Sequence, residues 1–328
     1  MIISKTPLRM SFVGGGSDLS AFYRQYGGAV VSVTIDKYVY VTVNKKFDDT
    51  IRISYSKTEE VTSVNEIEHK LVRECMRKLN IAGGIEITTI ADIPSRGTGL
   101  GSSSSFTVGL LHALHAYQHR YVSANQLGLQ SCEIEIDICG DPIGKQDQYA
   151  SAFGGFNFIT FNHDDTVDVQ PIICKKEIIS HIEKNILIFY TGVVRSASAL
   201  LKKQSTEIHS NKTKQQTMQK MVNLAHQLRD ELQRNNIDAF GDILHENWLL
   251  KKNVNKDVST ETIDYWYQKG RNAGALGGKI LGAGAGGFIM FYAPQEKHEA
   301  ITLALSELRQ IDIKFERQGS KIIFFHEN

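Results

Sequence analysis

The chain has 328 residues, of which 41% are hydrophobic and 22% charged, and its formal net charge is +1. That length leaves room for two domains and a sizeable core, while a near-neutral charge removes any global electrostatic case for nucleic-acid or anionic-membrane partners. No apolar run reaches the length of a membrane span, the opening MIISKTPLRM lacks the apolar centre of a secretory signal, and Cys75, Cys132, Cys139 and Cys174 show no CxxC pairing. A cytoplasmic protein with reduced, mostly buried thiols is the expectation.

The first half alternates strand and helix signals. GGAVVSVTIDKYVYVTVNKKF and TIRISYS are rich in β-branched and aromatic residues and read as strands. VNEIEHKLVRECMRKLN places Ile67, Leu71, Cys75 and Leu79 four apart, an amphipathic helix. GIEITTIADIP reads as a strand feeding a Gly/Ser loop, and FTVGLLHALHAY after that loop as a helix. Ser123 and Gln126 form a capping-box pattern that opens a helix near residue 124. GGFNFITF, TVDVQPI and ILIFYTGV are further strands, and residues 196 to about 235 are helical. IDAFGDILHENWLLKKN and STETIDYWYQKGRNAGA predict two more helices. The chain closes with strand, helix and strand in GGFIMFYAP, KHEAITLALSELRQI and KIIFFHE. A strand-rich part followed by a helix-rich part predicts an α+β protein of two domains, residues 1–182 and 183–328, meeting at a cleft.

Three glycine clusters punctuate this pattern. The central one runs Pro94-Ser95-Arg96-Gly97-Thr98-Gly99-Leu100-Gly101-Ser102-Ser103-Ser104-Ser105 directly into a helix. Such a loop can turn backbone N–H groups toward an anion, the helix N-terminus adds unpaired donors and a positive dipole, and serine hydroxyls can ligate Mg²⁺ held between phosphates. The competing reading is a capped helix behind a surface loop. No Gly-Lys-Ser/Thr ending follows, so the stretch is not the common P-loop. The N-terminal cluster is Gly14-Gly15-Gly16-Ser17-Asp18, and the C-terminal one Gly282-Ala283-Gly284-Ala285-Gly286-Gly287. The last also matches G-x-G-x-x-G, but it opens an apolar strand where a dinucleotide fingerprint would open a helix.

Taken in order, the three clusters resemble the motifs of the GHMP kinases, small-molecule kinases whose central motif reads Pro, three residues, Gly-Leu-x-Ser-Ser-Ala. Ser104 stands where that family usually has Ala. The resemblance implies a ribosomal-protein-S5-like N-terminal domain, a ferredoxin-like C-terminal domain, and ATP and Mg²⁺ as cofactors. It places the nucleotide on Pro94, Arg96, Gly97, Gly99, Leu100, Gly101, Ser102, Ser103 and Ser104. Family members carry Glu, then Gly five residues on, then Asp-Gln seven further; here these are Glu135, Gly140, Asp147 and Gln148. By resemblance Glu135 and Ser103, with Ser102 as the alternative, hold Mg²⁺, and Asp147 is the catalytic base. The pattern Glu-Ile-Glu-Ile-Asp-Ile at 133–138 alternates with period two and by itself argues a strand; the family and the capping signal upstream argue helix. Glu133 and Asp137 are expected to be solvated.

Arg9 fills the motif-one cation position, where it can orient the acceptor oxygen and stabilise the moving charge; the alternative is an ion pair that fastens the first strand. Gly16, Ser17, Asp18 and Gly284 fall at substrate positions of the family motifs. Galactokinases carry Gly-Glu-His-Thr-Asp where this chain has Gly-Gly-Gly-Ser-Asp, which argues against galactose. The triple glycine, the Ser-rich loop and Tyr190-Thr191-Gly192 followed by Arg195 and Ser196 resemble the D-glycero-D-manno-heptose 7-phosphate kinases, which share features with fucokinases. That implies phosphorylation of the anomeric C1 hydroxyl of a small-molecule sugar phosphate, for nucleotide-activated heptose and surface polysaccharide. A 7-phosphate needs a cationic anchor, for which Arg195 heads a basic cluster with Lys175, Lys176, Lys202 and Lys203. A fucokinase, a mevalonate-type kinase and a catalytically silent sugar sensor on the same fold stay open, as does the oligomeric state.

Overall fold

The longest strand organises the first half. Gly28–Lys45 (β2) is rich in Val, Ile, Thr and Tyr and pairs antiparallel along most of its length with Ile2–Val13 (β1), in a register that puts Leu8 opposite Ile35 and Arg9 opposite Thr34. The computed structural model describes residues 1–93, 97–193, 200–201, 206–208 and 211–326. On its other edge β2 meets two strands in succession: Ile85–Ala91 (β5) along Val39–Lys45, and Phe156–Phe161 (β6) along Gly28–Val33. Ile51–Ser54 (β3) lies parallel to β5 and antiparallel to Thr58–Val61 (β4), and Val167–Pro171 (β7) pairs with β6. Buried residues run without a gap from Gly28 to Ile35, because both faces of that stretch are covered.

Helices Ser20–Tyr26 (α1), Lys70–Lys78 (α2), Ser102–Tyr117 (α3), Ala124–Cys132 (α4) and Gln146–Phe153 (α5) follow in chain order, with α3 and α5 packed against β1 and β2. The helix signal at 64–80 splits into a 3₁₀ turn, Val64–Glu66, and α2. The Ser123–Gln126 capping box is present. The disputed stretch Glu133–Ile138 is neither strand nor α-helix: it prolongs α4 as a π-helix, with Cys139 N–H donating to the Ile134 carbonyl. The wider turn accommodates the alternating residues while turning Ile134 and Glu135 inward, and Asp137 is exposed as expected. Glu133 is not simply solvated, since Lys78 pairs with it at 2.6 Å.

Lys176–Lys184 (α6) leads into a second, antiparallel sheet. Its order is Arg309–Ile311 (β11), Ile186–Tyr190 (β8), Phe288–Tyr292 (β10) and Gly277–Ile280 (β9). Lys212–Gln233 (α7), Phe240–Val254 (α8), Glu261–Asn272 (α9) and His298–Ala304 (α10) surround it. The last helix signal is shorter than its sequence pattern, because Arg309–Ile311 leaves it to join β8. The chain then returns to the first sheet: Phe315–Glu316 (β12) pairs with β2 and Lys321–Phe325 (β13) with β1. A cut at residue 182 therefore leaves two strands of the first sheet beyond it. The helix α7 also lies on β1 and β2, and one apolar cluster joins Met10, Phe12 and Val31 to Met218, Val222, Phe288 and Met290. Three of the cysteines are buried and all four are free. Among the described residues no helix is long and apolar enough to cross a membrane.

The two halves touch backbone to backbone. A Cβ on Gly99 would come within 2.3 Å of the Leu281 carbonyl oxygen, and one on Gly282 within 2.4 Å of Gly99 Cα. Both glycines have positive φ, 75° and 73°, so side chains are excluded on two counts. Gly99→Ala is expected to lower the unfolding free energy by about 2 kcal/mol or more, read by urea denaturation. Gly140→Ala, at φ 69° with nothing within 4 Å of its Cβ position, should cost only about 1 kcal/mol. Equal losses at the two positions would mean that the contact does not constrain the fold.

Candidate active site

A cleft of about 220 Å³ opens where the glycine loops converge, lined by Arg9, Gly15, Gly16, Asp18, Gly97–Gly99, Gly101–Ser104, Gly144, Gln146, Asp147, Lys251, Gly282 and Ala283 among others. Arg9 comes from the middle of β1, whose flanking Leu8 and Met10 are buried on the core side. Asp147 sits in the first turn of α5, where a carboxylate complements the positive helix end. The two meet in a bidentate pair: Arg9 Nε donates to Asp147 Oδ1 at 2.7 Å and Nη2 to Oδ2 at 2.6 Å. Arg9 Nη1 also donates to the Gly99 carbonyl at 2.7 Å, so one guanidinium joins the first strand, the loop and α5. The carboxylate keeps partial exposure, 23%, on the cleft side, which leaves its remaining lone pairs open to a proton donor.

The loop before α3 closes over this pair. Gly101 caps α3 with φ 76°, and a Cβ there would lie 3.2 Å from Asp147 Oδ2 and 3.4 Å from Arg9 Cγ. Helix α3 starts at Ser102, and Ser102, Ser103 and Ser104 of its first turn line the cleft. Ser103 is exposed there, whereas Ser102 and Ser104 are buried and Leu100 belongs to the core. Pro94, Arg96, Arg195, Ser196, Lys202 and Lys203 lie outside the described residues.

Glu135 does not meet Ser103. It is 1% exposed and accepts hydrogen bonds from Ser104 Oγ at 2.8 Å, from Thr107 Oγ1 at 2.7 Å and from Gln148 Nε2. Burial pushes its carboxyl up to about 7, against those three hydrogen bonds. The family's usual Ala at position 104 is thus a hydroxyl that has captured this carboxylate. Among the described residues no three His, Cys, Asp or Glu side chains gather as a metal site.

The expected substrate residues divide. Gly16 and Asp18 line the cleft. Asp18 is 4% exposed and accepts from the Gly16 and Gln146 backbone N–H groups at 3.0 and 3.3 Å; burial first, and the charge of Asp147 second, raise its carboxyl above the ordinary range. Ser17 turns its hydroxyl into β2, exchanging hydrogen bonds with the backbone of Ala29. Gly284 packs on Val258, its Cβ position 2.7 Å from that side chain, and Gly282 and Ala283 take the cleft wall instead.

Three contributors had not been singled out. Gly144 lets the loop before α5 lie on Asp18, since a Cβ there would be 1.9 Å from Asp18 Oδ2. Asn247 accepts from the Gly14 N–H at 3.1 Å. Lys251 reaches the cleft from α8, 5% exposed, and donates to the Gly282 carbonyl at 2.5 Å. The signal for the last two was present: Leu244, Asn247, Trp248, Lys251 and Val254 share one helical face, so a lysine and an asparagine stand in an apolar stripe.

The family model for the GHMP kinases N terminal domain matches residues 66–155, and that for the GHMP kinases C terminal matches residues 228–309. A D-glycero-alpha-D-manno-heptose 7-phosphate kinase of Campylobacter jejuni is 29% identical over 337 residues, covering 98% of each chain. A galactokinase of Pyrococcus furiosus is 26% identical, covering 96% of this chain and 94% of its own. Among solved structures, a D-glycero-D-manno-heptose 1-phosphate kinase from Bacteriodes thetaiotaomicron superposes with a TM-score of 0.81 at 28% identity, covering 100% of both chains. The two family models match one segment in each half of the chain, and the first spans the loop Gly97–Ser104, Glu135 and the Arg9 partner Asp147: the chain belongs to the GHMP kinases.

Proposed function

We propose that the chain is a sugar kinase that transfers the γ-phosphoryl group of ATP to the anomeric C1 hydroxyl of D-glycero-D-manno-heptose 7-phosphate, giving the 1,7-bisphosphate. The observation that carries the transfer chemistry is the Arg9–Asp147 pair beside the N-terminus of α3, inside one cleft. The sugar rests on relatives whose names specify a heptose phosphate, though they differ on the phosphate position.

The cradle at Gly97–Ser104 suits the nucleotide phosphates, since a Cβ at Gly101 would press on the Arg9–Asp147 pair and the first turn of α3, where a helix leaves N–H donors unpaired, lines the same space. Asp147 takes the proton of the acceptor hydroxyl, while Arg9 holds that carboxylate in place and stabilises charge that develops on the acceptor oxygen. Asp18, fixed by two backbone N–H groups, accepts hydrogen bonds from sugar hydroxyls. Mg²⁺, when bound, supplies neutralisation of phosphate charge. We assign it to the exposed hydroxyl of Ser103 with Glu135, or to Ser102 with Glu135; these are hard oxygen donors of the kind that ion prefers. Glu135 would take part through Oε1, which among the described residues accepts only from the Thr107 hydroxyl, or by exchanging one of its present hydrogen bonds. Arg195 remains our candidate for the 7-phosphate anchor.

Asp147→Asn should lower kcat by roughly 10²–10⁴-fold with ATP affinity intact, measured by steady-state kinetics and nucleotide titration. Near-normal kcat, or joint loss of kcat and ATP binding, would remove Asp147 from the role of base. Ser103→Ala and Glu135→Gln should each raise the Mg²⁺ concentration that supports half-maximal rate. An unchanged Mg²⁺ dependence in both places the metal elsewhere. In an ADP-release assay over a sugar panel, heptose 7-phosphate should exceed the dephosphorylated heptose by roughly ten- to hundredfold in kcat/KM. Equal use of the two sinks the anchored-phosphate reading, and efficient use of fucose or mevalonate transfers the assignment to those kinases.

A further inference from the structure

Lys251 is a buried cation that the chemistry just described does not use. Among the described residues it makes no ion pair within 4 Å, and its one hydrogen bond goes to a backbone carbonyl, that of Gly282. An ammonium has three N–H donors, so two stay uncommitted in a group that is only 5% exposed. Holding a cation out of water without a direct counter-charge is expensive, and an anion brought into the cleft would relieve that cost. Lys279, the neighbouring buried lysine, shows the contrast: its Nζ donates to the Ser11 and Phe12 carbonyls at 2.7 and 3.3 Å, with the Ser11 hydroxyl at 3.4 Å, and it does not line the cleft.

The place of Lys251 tells what the anion is. It enters from α8 at the seam where Gly282 meets Gly99, on the wall of the cleft that also holds Arg9, Asp18 and Asp147. That is the reacting end, where the phosphate loop stops and the acceptor begins. We propose that Lys251 is a further substrate-contacting residue, whose ammonium binds phosphoryl oxygens delivered to the reacting end of the cleft from the side of the second sheet. Arg9 and Lys251 then flank the transfer site as two cations from opposite halves of the molecule. The two sources of such oxygens are the γ-phosphoryl group of the nucleotide and the phosphate carried by the sugar; proximity to Arg9 and Asp147 favours the first. The inference rests on the kinase reading, but its nucleotide arm does not depend on the sugar.

The charged groups that face Lys251 are Asp18, Asp147 and Arg9 across the cleft and Lys279 behind it. Burial, opposed by the two carboxylates and reinforced by Arg9, pulls the ammonium down to about 8. A dianion favours the charged form, so affinity for it should fall as pH rises through about 8 and should hold below that.

The test is calorimetric titration of wild type, Lys251→Met and Lys251→Arg at pH 7 with four probes: ADP, the non-hydrolysable β,γ-imido analogue of ATP, heptose and heptose 7-phosphate. Melting curves of each variant check folding. Loss of one charge-assisted contact predicts that Lys251→Met weakens the triphosphate analogue by roughly 10- to 100-fold, with ADP unchanged. Lys251→Arg should recover most of the loss, and the weakening of wild-type binding between pH 7 and 9 should be absent in the Met variant. A loss confined to heptose 7-phosphate over heptose also supports the contact and assigns it to the sugar phosphate. A role limited to tethering Gly282 would weaken ADP and the triphosphate analogue equally. That result, or no change for any probe, overturns the proposal. If wild type binds and phosphorylates neither sugar, the heptose reading fails, while the ADP and triphosphate comparison still decides the role of Lys251.

Discussion

The contact between the Gly99 and Gly282 backbones is the constraint on which the site depends. Each glycine excludes a side chain from the other, so the phosphate loop of the first half and the glycine loop of the second approach more closely than any pair of substituted residues allows. From that contact follow the positions of Lys251, which donates to the Gly282 carbonyl, and of Arg9, which donates to the Gly99 carbonyl. The carbonyls at this seam are thereby satisfied by two cations rather than by sheet neighbours. Because β12 and β13 return to β2 and β1, the second half is joined to the first through the same sheet that carries Arg9. The cleft is a seam between tightly fastened halves.

Charge is arranged inside this seam with unequal pairing. Arg9 and Asp147 form a complete bidentate pair. Asp18 is held by backbone N–H groups and Lys251 by a backbone carbonyl, so each keeps its charge away from a direct partner. Water would ordinarily stabilise both, and neither has access to much of it. Under the proposed function a polyanionic nucleotide and a polyhydroxylated acceptor would supply what is missing, the first to the cations and the second to the carboxylate. Glu135 follows the opposite course. Three donors hold it within the protein, and the hydroxyl of Ser104, where the family usually has Ala, is one of them.

How far the sequence carried the fold can be argued from single elements. The β-branched and aromatic content of GGAVVSVTIDKYVYVTVNKKF gave β2, and the Ser123–Gln126 capping box gave the start of α4, because both are properties of a few neighbouring residues. The segment Glu133–Ile138 defeated a period-based reading, since its alternation fits a strand and its π-helical turn is imposed by the helix before it and the burial of Glu135. The last helix lost its end to β11 for a similar reason: pairing with β8 outweighed local propensity.

By itself the sequence determined the three glycine loops and the α+β class, because backbone freedom and periodicity are local properties. Arg9 and Asp147 were named through the resemblance to the family motifs, but 138 positions separate them, and only the folded chain made them a bidentate pair. Tertiary structure alone decided that Ser17 faces β2, that Gly284 lies on Val258 and that Ser104 rather than Ser103 holds Glu135. Each of these outcomes depends on which surface of a helix or loop meets a neighbour distant in sequence. Packing settles that question, and no local pattern encodes it.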